Sequence, residues 1–239
     1  MKTLRMFGIA LIAIVMGVSL ASCSKDDKPS KDEEEVTINE KKITKIIAES
    51  ESWKETRTFD YDDKGRLIES TETDEKGGEI ITRNYQYVWG DDAIKISGDD
   101  GSSYLLSLNH GLLQSSSDGK TFTYNNSNRI IGVNGTNTVT AIWDADKLVS
   151  INKNTLTYEK TCKKGYFPNI ATLIDDDYYN LFVAHPEIVG AHTRQLPSSL
   201  IRGGKATDIS YEFDKEGYIS KVILESPSGA KQIATCTWE

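Results

Sequence analysis

The sequence predicts a mainly β protein: a curved antiparallel meander, drawn round into a half-barrel or a closed barrel, with a small helical insert. Three observations predict it. The phrase Phe59-Asp60-Tyr61-Asp62-Asp63-Lys64-Gly65-Arg66-Leu67-Ile68 reads as strand, tight turn, strand, and it recurs in degraded form along the chain. Other turn signals lie between the copies, at Asp99-Asp100-Gly101, Asp118-Gly119, Asn134-Gly135 and Pro227-Ser228-Gly229. Together they divide the chain into about fifteen short strands, more than an open, strongly twisted sheet carries without curling.

The chain opens with a leader. Lys2 and Arg5 precede an uncharged apolar run from Met6 to Leu20, shorter than the ~20 residues of a membrane-spanning helix and followed by small residues, as in a signal peptide. Leu20-Ala21-Ser22-Cys23 resembles a bacterial lipobox. That resemblance implies removal of residues 1–22 and acylation of Cys23, and several acyl chains together anchor stably. The stretch from Ser24 to Glu35 holds three lysines and six acidic residues and no apolar side chain. It can bury nothing, so residues 23–41 are expected to form a disordered tether.

The folded part is expected over residues 42–239 as a single domain. Ile43, Ile46 and Ile47 mark a first strand. Trp53, Arg57, Phe59 and Tyr61 share the next strand's face, and Ile81, Tyr85, Tyr87 and Trp89 share another, because strand side chains alternate with period two. Aligned on the aromatic before the turn, the copies place Tyr61, Trp89, Tyr124, Trp143 and Phe213 in register, with Leu108 as an imperfect member. Gly65, Asn128 and Gly217 fall where the turn needs a left-handed residue. The stretch from about 165 to 204 breaks the alternation. Ile170, Leu173, Ile174, Tyr178, Leu181 and Phe182 follow a helix-like spacing there, with Asp175, Asp176 and Asp177 at its start. This insert is expected to cover the sheet face that bears the aromatic residues.

The Tyr-Asp-x-x-Gly-Arg-Leu phrase is similar to the YD-type repeats of large bacterial surface and toxin-shell proteins. The whole layout, from about Lys42 to Trp238, resembles a family of Bacteroidetes lipoproteins with a domain of unknown function. That resemblance implies a porin-like curved antiparallel sheet and brings no catalytic residues with it. Cys23-Ser24-Lys25-Asp26-Asp27 also resembles the acidic export signal of Bacteroidetes surface lipoproteins, which implies the outer membrane and its outer face; the alternative is the periplasmic face.

Little in the sequence points to catalysis, a cofactor or a metal. Its three histidines are dispersed, and His185 and His192 stand too far apart for a zinc pair on a helix; a solvated or capping role is expected for them. Asp60-Tyr61-Asp62-Asp63-Lys64-Gly65 begins like a calcium loop, but Thr71 occupies the position that needs a bidentate Glu. No nucleophile phrase is present. Cys162 and Cys236 lie on strands that a simple meander separates by roughly 14 Å, beyond the ~7 Å reach of a disulfide. The formal net charge of −8, near −10 once the leader is removed, gives no footprint for a nucleic-acid backbone.

The functional lead is the aromatic stripe. Trp53, Tyr61, Tyr85, Tyr87 and Trp89 are candidates for stacking on sugars or peptide side chains, unless they form core beneath the insert. The expected function is a membrane-anchored envelope lipoprotein acting as a non-enzymatic binding or scaffold module for a glycan or an envelope protein. The alternative is an envelope glycan hydrolase using two carboxylates.

Overall fold

The computed structural model describes residues 41–135, 138–168 and 178–239. The leader, Cys23 and the acidic stretch behind it lie outside the described residues, as do Ile170, Leu173, Ile174 and the aspartates at 175–177.

Sixteen antiparallel strands close into a barrel in sequence order. They are β1 (Ile43–Glu49), β2 (Trp53–Tyr61), β3 (Leu67–Lys76), β4 (Glu79–Trp89), β5 (Ala93–Gly98), β6 (Ser103–Asn109), β7 (Leu112–Ser116), β8 (Thr121–Tyr124), β9 (Ile130–Asn134), β10 (Val139–Asp144), β11 (Lys147–Ile151), β12 (Asn154–Thr161), β13 (Gln195–Arg202), β14 (Lys205–Phe213), β15 (Ile219–Glu225) and β16 (Lys231–Trp238). Closure comes from β1 against β16, from Ile43 opposite Trp238 to Glu49 opposite Ile233. Closure leaves no sheet edge to template another chain.

Because the meander is antiparallel, its turns fall alternately at two ends. One end carries turns 62–66, 90–92, 110–111, 125–129, 145–146 and 214–218, the long connection 162–194, and both Lys42 and Glu239, whose backbones pair at 2.7 and 2.9 Å. The other end carries turns 50–52, 77–78, 99–102, 117–120, 152–153, 203–204 and 226–230. We call the first the collar and the second the rim.

The repeated phrase builds one turn three times at the collar. Asp62 Oδ1 accepts the amides of Lys64 and Arg66 at 3.0 and 2.9 Å. Asn125 Oδ1 accepts those of Ser127 and Arg129 at 2.9 and 3.0 Å. Asp214 Oδ1 accepts those of Glu216 and Tyr218, both at 2.9 Å. Gly65, Asn128 and Gly217 have φ of 71°, 57° and 96°, the left-handed region that the alignment requires of them. A bulge sits where the aromatic enters the turn, between Asp60 and Tyr61, Thr123 and Tyr124, and Glu212 and Phe213.

The insert differs from its sequence reading in extent and position. Gln195–Arg202 was expected within it but is β13, a full barrel strand paired with β12 and β14. Pro197 hides that strand from a pattern search. It has no N–H for the ladder and sits at a register shift opposite Tyr158. The insert proper carries helix α1 (Tyr179–Ala184) and a 3-10 turn (Pro186–Val189). It does not lie over one face of a sheet; it fills the closed barrel from the collar. Every residue of α1 is buried. A helix of six residues without a side-chain cap is held by packing, since propensity cannot support so short a piece.

The lumen packs around this plug from many strands. Phe182 meets Phe122 of β8 at a ring separation of 6.2 Å, Tyr178 meets Tyr104 of β6 at 5.4 Å, Phe167 meets Tyr211 of β14 at 5.3 Å and Tyr166 meets Trp238 of β16 at 5.2 Å. Gly190 closes the plug against the wall. A β-carbon there would collide with the Asn128 backbone carbonyl, and its φ is 59°.

The outer wall carries polar rows. On β2–β4, Thr56, Thr73 and Thr82 lie side by side on the outside, as do Thr58, Thr71 and Asn84. Thr71 Oγ1 meets Asn84 Oδ1 at 2.9 Å, and Thr73 and Thr82 meet at 3.2 Å. Val88, Leu105 and Ile142 are among the large apolar residues exposed on it, with Lys95 between Val88 and Leu105. A membrane-spanning barrel needs the reverse, an apolar outer band ~25 Å tall between aromatic girdles. Among the described residues no helix is long and apolar enough to cross a membrane.

Cys162 and Cys236 are both buried thiols, not bridged to one another. Burial pushes the Cys236 thiol up to about 12.

Candidate functional site

The inward faces of β2, β3 and β4 form a ladder from collar to rim that contains all five stacking candidates. Register sets its rungs. Tyr61 stands opposite Leu67, Phe59 opposite Ser70 and Tyr85, Arg57 opposite Glu72 and Arg83, Glu55 opposite Asp74 and Ile81, and Trp53 opposite Lys76 and Glu79.

The collar rung is structural. Tyr61 Oη donates to the Ile43 carbonyl at 2.8 Å and Trp89 Nε1 to the Leu67 carbonyl at 2.8 Å. The same staple runs round the barrel: Tyr124 to Leu113 at 2.6 Å, Trp143 to Ile130 at 2.6 Å, Tyr158 to Leu148 at 2.8 Å, Tyr211 to Pro197 at 2.7 Å and Trp238 to Ile219 at 2.8 Å. In each, a strand's aromatic tip satisfies a carbonyl of the strand before it. Several of these carbonyls belong to residues beside a bulge, where the ladder leaves groups unpaired. Burial pushes the phenols of Tyr61, Tyr124 and Tyr158 well above their ordinary range, so these hydroxyls stay donors.

His185 joins the plug to this collar. It was expected to be solvated or capping. It does occupy the junction of α1 and the 3-10 turn, but it is buried. Its Nε2 accepts the Leu67 amide at 3.0 Å and Nδ1 lies 2.7 Å from Glu187 Oε1. Acceptance at Nε2 puts the proton of a neutral ring on Nδ1. The ring meets Trp89 edge-on at 4.9 Å and Tyr61 at 6.2 Å, so neither aromatic offers a free face at this rung.

The middle rung is a closed charge network. Arg57 Nε meets Glu55 Oε1 at 2.7 Å, and its Nη1 reaches Asn180 Oδ1 of α1 at 2.8 Å and Glu72 Oε2 at 3.4 Å. Arg83 Nη1 meets Glu72 Oε1 at 3.0 Å and Asp74 Oδ2 at 2.8 Å. The Arg57 guanidinium lies 3.8 Å from the centre of the Tyr179 ring. Burial works against its charge, and the Glu55 and Glu72 carboxylates outweigh burial, so it is held protonated. Glu55, Glu72 and Asp74 bring one oxygen each within 4.8 Å of one another. That spacing resembles a cation site, but two guanidiniums already occupy the oxygens. A glycosidase pair is equally unsuited here, because one carboxyl must be free to hold a proton and a sugar ring must fit between the two.

Tyr87 is buried, with its hydroxyl 2.9 Å from Ser70 Oγ. Tyr85 lines a cavity of about 20 Å³ shared with Arg57, Tyr87 and Tyr179. That volume holds a single water, not a sugar.

Trp53 is different. It sits half-buried at the rim, lining an open cleft of about 420 Å³ formed by residues 49–54 and 75–80. Of the chain's four tryptophans, Trp89, Trp143 and Trp238 donate their indole N–H to collar carbonyls. The Trp53 indole has no such partner among the described residues. Around it stand Glu49, Glu51, Glu75 and Glu79 with Lys54 and Lys76, and Lys54 Nζ is held by Glu75 at 3.1 Å. The ladder therefore buries Tyr87, ties the half-buried Tyr61 and Trp89 to collar carbonyls, leaves the half-buried Tyr85 against a cavity too small for a sugar, and sets Trp53 on the open cleft. The sequence carried no direct sign of the charged rung. Arg57, Glu72 and Arg83 are far apart in the chain and meet only through strand register.

No protein-family model matches the chain, and no curated protein does. Among solved structures, a porin-like protein from Bacteroides uniformis superposes with a TM-score of 0.66 at 16% identity, covering 82% of this chain and 98% of that one. A porin-like protein from Bacteroides vulgatus aligns over the same shares at 13% identity with a TM-score of 0.31. The first likeness is one of fold.

Proposed function

We propose that this chain is a lipid-anchored protein of the bacterial cell envelope whose barrel is a non-catalytic binding or scaffold module, engaging a glycan or an envelope protein at its rim. The observation that carries this reading is the contrast between a lumen sealed by the plug and a single candidate aromatic, Trp53, left on an accessible cleft. The polar rows of the outer wall support a barrel that hangs from the membrane rather than crossing it. Acylated Cys23 is the anchor and residues 23–41 are the tether. The chain enters β1 at the collar, so the tether joins the end opposite the rim and leaves the rim free to face a partner. The acidic start of the tether supports an address on the outer face of the outer membrane, and the porin-like fold of the Bacteroides uniformis protein is in keeping with an envelope setting.

Three measurements test this. Cys23→Ser is expected to abolish lipid labelling and release the chain from the membrane fraction; normal labelling would remove the anchor. Purified protein in a planar bilayer is expected to pass no current. A photo-cross-linking residue at position 53, introduced in cells, is expected to trap an envelope component that the same residue at outward-facing Thr71 does not. Turnover of an envelope polysaccharide by the purified protein would replace the binding reading with an enzymatic one.

A further inference from the structure

We infer that the rim cleft recognises a cationic segment of a partner protein, with an arginine or lysine side chain lying on the Trp53 indole within the cleft's predominantly acidic lining. The inference rests on the reading of the rim as the binding face and names the chemistry of its ligand.

Three features of the cleft point the same way. Its carboxylates outnumber its ammonium groups, four glutamates to two lysines, and one of those lysines, Lys54, is already engaged by Glu75 at 3.1 Å. The surplus charge is negative and lies in water-accessible positions, so it attracts a cation and repels phosphates and acidic sugars. The indole adds a π face, which draws cations by its quadrupole, and guanidinium groups in particular stack on it. A neutral glycan would use the ring but leave the charge surplus without a role.

The backbone beside the ring is also bare. Gly77 and Gly78 form the β3–β4 turn with positive φ, and a β-carbon at either would meet nothing within 4 Å. An extended segment can therefore pass close to this turn. The Trp53 N–H remains available to a carbonyl of that segment. The same arrangement is already present inside the barrel, where Arg57 lies over Tyr179 between Glu55 and Glu72.

The test uses the full anchored chain in neutral detergent, titrated with hexa-arginine, with hexaglutamate and a panel of neutral oligosaccharides run alongside. The readouts are affinity and the indole N–H resonance of Trp53, assigned by its loss in Trp53→Phe. Hexa-arginine is expected to move that resonance, to bind about tenfold more weakly to Trp53→Ala, and to weaken further in Glu51→Gln/Glu79→Gln and at higher salt. An unmoved resonance, or equal affinity for Trp53→Ala, overturns the inference, because binding would then be diffuse attraction to an acidic protein. An oligosaccharide that binds and is lost in Trp53→Ala overturns the cationic ligand but preserves the rim as binding face. If no probe binds and no partner cross-links at position 53, both readings fall.

Discussion

The two ends of this barrel use the same residue types for opposite purposes. At the collar each stapling tyrosine or tryptophan has a backbone carbonyl to bond, the turns are tied by Asp or Asn side chains, and the plug closes over them. At the rim the turns are rich in glycine, and Trp53 faces an open cleft. An aromatic side chain is thus no indicator of function by itself. What distinguishes the one candidate for binding from its neighbours is whether its polar atom already has a partner and whether its face is already covered.

This comparison can be broken from either end. The largest effect is expected at the plug. Phe182 is 2% exposed and meets Phe122, so Phe182→Ala should cost about 3–5 kcal/mol in chemical denaturation. Near-wild-type stability would mean that the plug does not fill the lumen.

Next come the staples. Trp143→Phe keeps most of the ring but removes the donor to the Ile130 carbonyl, and a buried acceptor left unmade costs ~1–3 kcal/mol. If Trp143→Phe is neutral, the collar aromatics are plain packing and their tips have no role.

The plug is also held from the rim side, and acid should loosen that contact. Tyr178 Oη donates to Asp118 Oδ1 at 2.7 Å, and Ser116 Oγ and Lys120 Nζ also engage that carboxylate. Burial would raise the Asp118 carboxyl, and the Ser116, Tyr178 and Lys120 contacts outweigh it, so it lies below its ordinary value. A lowered folded value means that the contribution is complete above the unfolded pKa, ~3.9. It is lost as pH falls through the folded value. Below about pH 4 the wild type should therefore lose stability more steeply than Asp118→Asn; parallel profiles would remove this contact from the account.

The smallest effect belongs to Trp53→Ala. Its ring is half-buried at the barrel edge, and its loss is expected to cost ~1 kcal/mol or less, measured by the same denaturation. A loss as large as that of Phe182→Ala would make Trp53 core and erase the distinction between the two ends.

Much of the collar was legible in the sequence because local chemistry specifies it. An Asp or Asn that can bond the backbone ahead, followed by a residue that tolerates positive φ, dictates the turn at 62–66, 125–129 and 214–218 wherever the chain goes next. The alternation of the strands and the buried Leu181 and Phe182 were legible for the same reason. Strand count called for curling, as a half-barrel or a closed barrel; the pairing of β1 with β16 decided for closure. Strand β13 was not legible, because Pro197 and the bulges beside it break the alternation that marks a strand. None of the staples was legible as such, since every acceptor lies on a neighbouring strand, and Tyr158, Tyr211 and Trp238 also fell outside the aligned repeat.

By itself the sequence carried a resemblance to a leader and lipobox, and determined a meander of hairpins and a stretch too apolar to remain outside. Those properties depend on residues close together in the chain. Only the tertiary structure decided that the insert enters the barrel, that His185 joins plug to wall, that Arg57, Glu72 and Arg83 neutralise one another, and that Trp53, of the five aromatic candidates, lines the open cleft at the rim. Each depends on register and closure, which bring together groups tens to more than a hundred residues apart, such as Leu67 with His185 and Arg57 with Asn180. No local preference encodes such pairings. They arise when strand pairing places one inward face against another and burial requires every polar group between them to find a partner.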